Sequence, residues 1–195
     1  MSHVDFQIEK RSDYSVWLAK IFPWFPIMVT LLICALAYGE TPKWKLFSNR
    51  AGWSINYPAD WKIESCKSCQ DPTAPNVFVD FFPSSNTDSG WVMVQPLADK
   101  PSGTTVDAWL TKISQTTNLN PQLAAQRLTL NDLPALKARY RNPNGGGHEM
   151  EQVYVVSSSR TFAITFDGDN PGHSLEEFGN YHIFLQMVES FKVKR

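Results

Sequence analysis

Residues 126–167 read QRLTLNDLPALKARYRNPNGGGHEMEQVYVVSSSRTFAITFD, and the fold class turns on them. Runs rich in Leu, Val, Ile, Tyr and Phe are cut at Asn131-Asp132, at the glycines 145–147 and at Ser158-Ser159. Asn and Asp tolerate the left-handed backbone that a tight turn needs. The spacing predicts one hairpin from 126–130 and 134–141 and a second from 148–157 and 160–167. Strands joined by such short turns pair antiparallel.

Upstream, Trp44 to Phe47 alternate with polar neighbours and predict a first strand. Residues 52–57, GWSINY, alternate as well, with Trp53, Ile55 and Tyr57 on one face and Ser54 and Asn56 on the other. Pro58-Ala59-Asp60 predicts a turn, after which Trp61 and Ile63 resume an apolar face. Residues 65–76 read as a loop, and 76–82 and 91–97 as strands joined by the polar stretch 84–90. Thr104 or Thr105 caps a helix whose stripe is Val106, Trp109, Leu110 and Ile113. Downstream, Ser174 with Glu177 reads as a capping box opening a final helix, and 191–193 as a closing strand. Strands, helix, strands, helix, with hairpins dominating, argue for an α+β fold with a mainly antiparallel sheet and helices packed on it.

The run Gly52-Trp53-Ser54-Ile55-Asn56-Tyr57-Pro58-Ala59-Asp60-Trp61 resembles the PsbP-like superfamily. That group holds the extrinsic PsbP proteins of photosystem II, bacterial relatives of unknown function and the Mog-type Ran-binding proteins. Its pattern is an aromatic strand, Tyr-Pro, a spacer, Asp and Trp, here Trp53, Tyr57, Pro58, Asp60 and Trp61. Leu130 to Ala135 is similar to the family's hairpin, with Asp132 where glycine is more usual. Ser190-Phe191-Lys192-Val193 is similar to its closing strand. The resemblance covers roughly residues 44–194. It implies an α/β/α sandwich, a structural role for the motif residues and an accessory function without a reaction.

The sequence ahead of this domain divides into a polar tail (1–20), the uncharged run IFPWFPIMVTLLICALA (21–37) and a linker (38–43) before the domain at 44–195. A bilayer core takes about 17–20 apolar residues, so 21–37 reads as one hydrophobic helix. Ala35-Leu36-Ala37 is a signal-peptidase pattern, with cleavage after Ala37. The long leader of mixed charge favours an uncleaved anchor instead. Either reading places the domain outside the cytoplasm. Leu31-Leu32-Ile33-Cys34 fails as a lipoprotein box, because Ile33 stands where a small residue is needed.

Apolar residues make up 43% of the chain and charged residues 19%, a globular balance, and the net charge of −1 excludes a global basic field for nucleic acid. Cys66-Lys67-Ser68-Cys69 is a C-x-x-C in a loop. It leaves three readings: a loop disulfide, free thiols, or a redox or metal pair. An exterior location favours the disulfide, and two soft ligands fall short of a zinc site. Alternation separates His148 from Glu149 and Glu151, and His148 is expected on a solvated strand edge. Asp167–Gly172 starts like a calcium loop but lacks its later ligands and reads as a turn. No phosphate-cradling or nucleophile-elbow motif occurs. Lys137, Arg139 and Arg141 alternate along one strand, placing three cations on one face as an anion or partner surface. The expectation is therefore a non-catalytic accessory module, without cofactor or metal, that engages a protein partner and meets the membrane through residues 21–37. The alternatives are an exported thiol-redox or hydrolytic enzyme and a small-ligand or ion-binding domain.

Overall fold

The computed structural model describes residues 42–65, 71–84, 90–116, 120–121, 124–142 and 146–194. The hydrophobic run 21–37 and the pair Cys66 and Cys69 lie outside them. Among the described residues no helix is long and apolar enough to cross a membrane.

The fold is α+β. Strands β1 (Trp44–Ser48), β2 (Trp53–Pro58) and β11 (Lys192–Val193) form one antiparallel sheet in the order β1-β2-β11. The larger sheet holds β3 (Lys62–Ser65), β4 (Val79–Phe82), β5 (Trp91–Leu97), β6 (Asn120–Pro121), β7 (Gln126–Leu130), β8 (Leu133–Arg141), β9 (Glu149–Ser157) and β10 (Arg160–Asp167). Its order is β3-β4-β5-β10-β9-β8-β6, with β7 also on β8, and each of these pairings is antiparallel. Both expected hairpins are present. Asn131 and Asp132 each take a positive φ (48° and 64°), so Asp132 occupies a conformation that glycine would adopt without strain. Asn131 then donates its amide to the carbonyls of Glu189 and Phe191, tying the turn to the end of the last helix.

Strand β10 shows why the middle of the sheet is apolar on both sides. Phe162, Ile164 and Phe166 enter one core while Ala163 enters another. Helices cover both faces there, so alternation of apolar and polar residues gives way to nearly continuous burial. Helix α1 (Val106–Gln115) starts at Thr105, whose hydroxyl accepts from the Ala108 N–H at 3.2 Å. Its stripe of Trp109, Leu110 and Ile113 packs on Leu136, Ala138, Tyr140, Tyr154 and Val156. Helix α2 (Tyr181–Ser190) packs on the opposite face. Phe184 and Tyr181 each place a ring centroid 5.5 Å from that of Phe166. The two helices therefore sandwich the sheet between them.

Two expectations need correction. The Ser174–Glu177 box opens only a 3₁₀ turn, Leu175–Glu177, with Ser174 Oγ 3.1 Å from a Glu177 carboxylate oxygen. Phe178 is extended (φ −77°, ψ 123°), and the helix begins at Tyr181. Gly179 and the N-cap Asn180 separate that turn from the helix, and the Phe178 ring lies so close over Gly168 that a Cβ there would meet it at 2.7 Å. The strand read over 76–82 is also shorter, Val79–Phe82, and Asn76 ahead of it turns left-handed (φ 65°).

Asp80 is set directly across from Glu64 on β3. Partial burial and that like charge together push the Asp80 carboxyl up to about 6. A folded pKa above the unfolded value means the native state holds the proton more tightly. The resulting stability is intact below about pH 4 and is lost as pH rises through about 6. Asp80→Asn is therefore expected to match the wild type at pH 4 and to exceed it at pH 7. Discounted for the side chain's partial exposure, the gain is about 1 kcal/mol. Denaturant midpoints at the two pH values test this, and a gain independent of pH would refute it.

Candidate functional site

Of the motif residues, Trp53 and Trp61 lie in the core and Tyr57 packs against it. Trp53 is 1% exposed, between Phe47 and Phe191 at 5.3 and 6.0 Å. Tyr57 packs on Phe81 at 5.3 Å. The Pro58 carbonyl accepts from the Trp61 N–H at 3.0 Å, which closes the turn and drops Trp61 into the core. Asp60 accepts a hydrogen bond from Ser84 at 3.0 Å.

Lys137, Arg139 and Arg141 share the sheet face that α2 covers, and each finds a carboxylate. The register sets Arg139 opposite Glu151 and Arg141 opposite Glu149. Arg141 lies 3.3 Å from Glu149, and Lys137 lies 4.0 Å from Glu151. Arg139 lies 3.4 Å from Glu151, and its two terminal nitrogens grip Glu176 at 2.7 and 3.3 Å. That fork also donates to the Tyr181 hydroxyl at 3.1 Å. Glu151 is 2% exposed, and the oxygen facing Arg139 also accepts from Tyr181 at 3.0 Å. Its other oxygen, and Arg139 Nε, are buried with no partner among the described residues. The Arg139 hydrogen bond holds the Glu176 carboxyl below the usual range, while burial, then Glu151, raise the Tyr181 hydroxyl. This cluster ties sheet, 3₁₀ turn and helix together.

His148 departs from its expectation. It is 8% exposed, not solvated, and its Nε2 lies 2.8 Å from Asp167 Oδ1 and 3.3 Å from the Asn142 amide. The β9–β10 register brings the two together, with Met150 opposite Asp167 and His148 two residues further on. Burial raises the Asp167 carboxyl, His148 pulls it back and Asp169 adds to the rise. Asp167 thus ends its strand against a histidine. Among the described residues no three His, Cys, Asp or Glu side chains gather in a metal-binding group.

Sequence reading missed a third feature, on the α1 face. The Tyr140 hydroxyl donates to the Ser114 carbonyl at 2.9 Å and stands 3.1 Å from the Tyr154 hydroxyl, which donates to Gln152 Oε1. Burial, then the Tyr140 hydrogen bond, hold the Tyr154 hydroxyl well above its ordinary pKa, so it stays protonated. Clefts flank α1 on either side of this chain. One of about 490 Å³ is lined by Thr111, Ser114, Arg127, Leu136 and Tyr140. The other, about 310 Å³, is lined by Gln95, Leu97, Trp109, Lys112, Gln152 and Tyr154. A tyrosine in each of two adjacent strands was the only sequence signal for it.

The chain has a PsbP-like fold. It is similar to the solution structure of cyanobacterial PsbP from Synechocystis, at 15% identity and TM-score 0.56, over 81% of this chain and 96% of that one. It is also similar to a crystal structure from Bacteroides thetaiotaomicron, at 14% identity and TM-score 0.50, over 77% of this chain but only 48% of that one. No family model and no curated protein matches the sequence.

Proposed function

We propose that this chain is a non-catalytic accessory module that engages a protein partner at a membrane surface. Residues 21–37 hold it there as an anchor after the tail 1–20, with 38–43 as linker and 44–195 as the binding domain. Cleavage after Ala37 would release the same domain as an exported protein. The observation that carries the reading is the commitment of buried ionisable groups to one another: Arg139 with Glu151, and His148 with Asp167. Glu151, His148 and Asp167 are each under a tenth exposed, so these groups brace the layers and offer little surface to a substrate. The PsbP-like fold supports an accessory role, and the uncharged run of membrane length supports the tether.

The test is affinity capture of the full tagged chain from its own source cells. We expect it in the membrane fraction with one partner in near-stoichiometric amount, and the Cys66→Ser/Cys69→Ser double variant should retain that partner. Recovery of the chain alone from both membrane and soluble fractions overturns the binding role. Loss of the partner in the double serine variant favours the thiol-redox alternative. N-terminal sequencing separates anchor from export, since a mature chain starting at Tyr38 means cleavage.

A further inference from the structure

The outward face of the small sheet joins an exposed apolar centre to cations, with no acid in its strands. Phe47 and Ile55 face each other across β1 and β2 inside the core. Alternation therefore turns Leu46, Ser48, Ser54 and Asn56 to the other side. Leu46 is 66% exposed, the more open of the two exposed large apolar side chains among the described residues. Lys192 is paired with Ser54 and shares this face. Lys194 and Arg160 meet at its end beside Gly52, where a Cβ would lie 3.7 Å from Lys194 Cβ and 3.8 Å from both terminal nitrogens of Arg160. Among the described residues none of these three cations has a carboxylate within ion-pair distance, whereas each cation of β8 has one. Strands β1, β2 and β11 contain no Asp or Glu.

The sequence brings this face close to a bilayer. Only the six residues 38–43 separate the uncharged run 21–37 from the start of β1. Fully extended, they reach about 20 Å. A leucine for the headgroup boundary, uncharged serine and asparagine around it and unpaired cations beside it are complementary to an anionic lipid surface. The short tether favours that surface over an acidic protein. We infer that the outward face of β1, β2 and β11 docks on the bilayer, with Leu46 in the interface and Lys192, Lys194 and Arg160 on anionic headgroups. The docking rests on the anchor reading above for where the bilayer lies. It turns α1, on the opposite side of the large sheet, away from the lipid.

The test uses the full chain and two readouts. Flotation with phosphatidylcholine vesicles reads the anchor alone. Broadening of backbone amide signals by a gadolinium-chelating lipid in nanodiscs reads the docking. In discs of equal phosphatidylcholine and phosphatidylglycerol, the amides of β1 and β11 should broaden well beyond those of α1. Lys192→Gln/Lys194→Gln should lower the docked-to-free ratio about twentyfold, each lysine at an anionic surface being worth about fivefold. Leu46→Ser should also weaken docking, while Lys112→Gln, an exposed cation on α1, should leave it unchanged. Flotation with uniform broadening over the domain overturns the docking and leaves the anchor standing. So does excess broadening equal in neutral and anionic discs, or a pair of chains joined along the β1 edge in place of lipid contact. Failure to float with neutral vesicles overturns the anchor instead. Docking is then read by flotation with the anionic vesicles, which the double glutamine variant should abolish, and no flotation of the wild type there overturns it.

Discussion

Trp53→Ala is expected to cost about 4 kcal/mol of folding free energy and to lower the melting midpoint by roughly 10 °C. The indole is 1% exposed and bridges the two ends of the domain, touching Phe47 from β1 and Phe191 from the last turn. Truncation leaves a cavity that three antiparallel strands cannot close without breaking register. Trp53→Phe should behave quite differently. The indole N–H is buried with no acceptor among the described residues, so phenylalanine removes a dissatisfied donor while creating a smaller void. The two effects oppose each other, and Trp53→Phe should stay within about 1 kcal/mol of the wild type. Equilibrium denaturation of both variants decides the point. A similar loss in both would mean that the ring nitrogen matters in a way the packing does not explain.

Arg139→Met is the second large effect, about 3 kcal/mol of destabilisation, because it strands the Glu151 charge almost fully buried. Glu176 is exposed and would return to water at little cost. Glu151 cannot. Lys137, 4.0 Å away and a third exposed, compensates only in part. Adding Glu151→Gln to Arg139→Met should therefore recover at least half of the loss, because an amide is far cheaper to bury than an unpaired carboxylate. Arg141→Met is the control. Its pair with Glu149 is solvent-exposed on the arginine side and is worth under about 1 kcal/mol. If the double variant is no more stable than Arg139→Met, the guanidinium acts through packing rather than charge.

Those variants also mark how far residue patterns carried. Lys137, Arg139 and Arg141 were legible as a row of three cations, because alternation along a strand is a local rule. Their neutralisation followed from register, which the turn length between the strands sets, and a row of acids at Glu149 and Glu151 in the next strand was the readable hint. Glu176 and Tyr181 joined that cluster from more than thirty residues away, and nothing local announced them. His148 was misplaced for the same reason. A histidine after a glycine run looks solvated until β10 brings Asp167 beside it.

By itself the sequence determined the hairpins, the capped helix with its Trp109, Leu110 and Ile113 stripe, and the aromatic strand around Trp53. Each depends on neighbours within one turn or one strand, where side-chain periodicity and turn chemistry act directly. The described structure set the start of the last helix at Tyr181, with Phe178 extended and packed over Gly168. It also decided that the cations of β8 are paired, that His148 is buried, and that clefts open on either side of α1. All four depend on which strand lies next to which. That order is a global minimum of packing, and no window of the chain contains it.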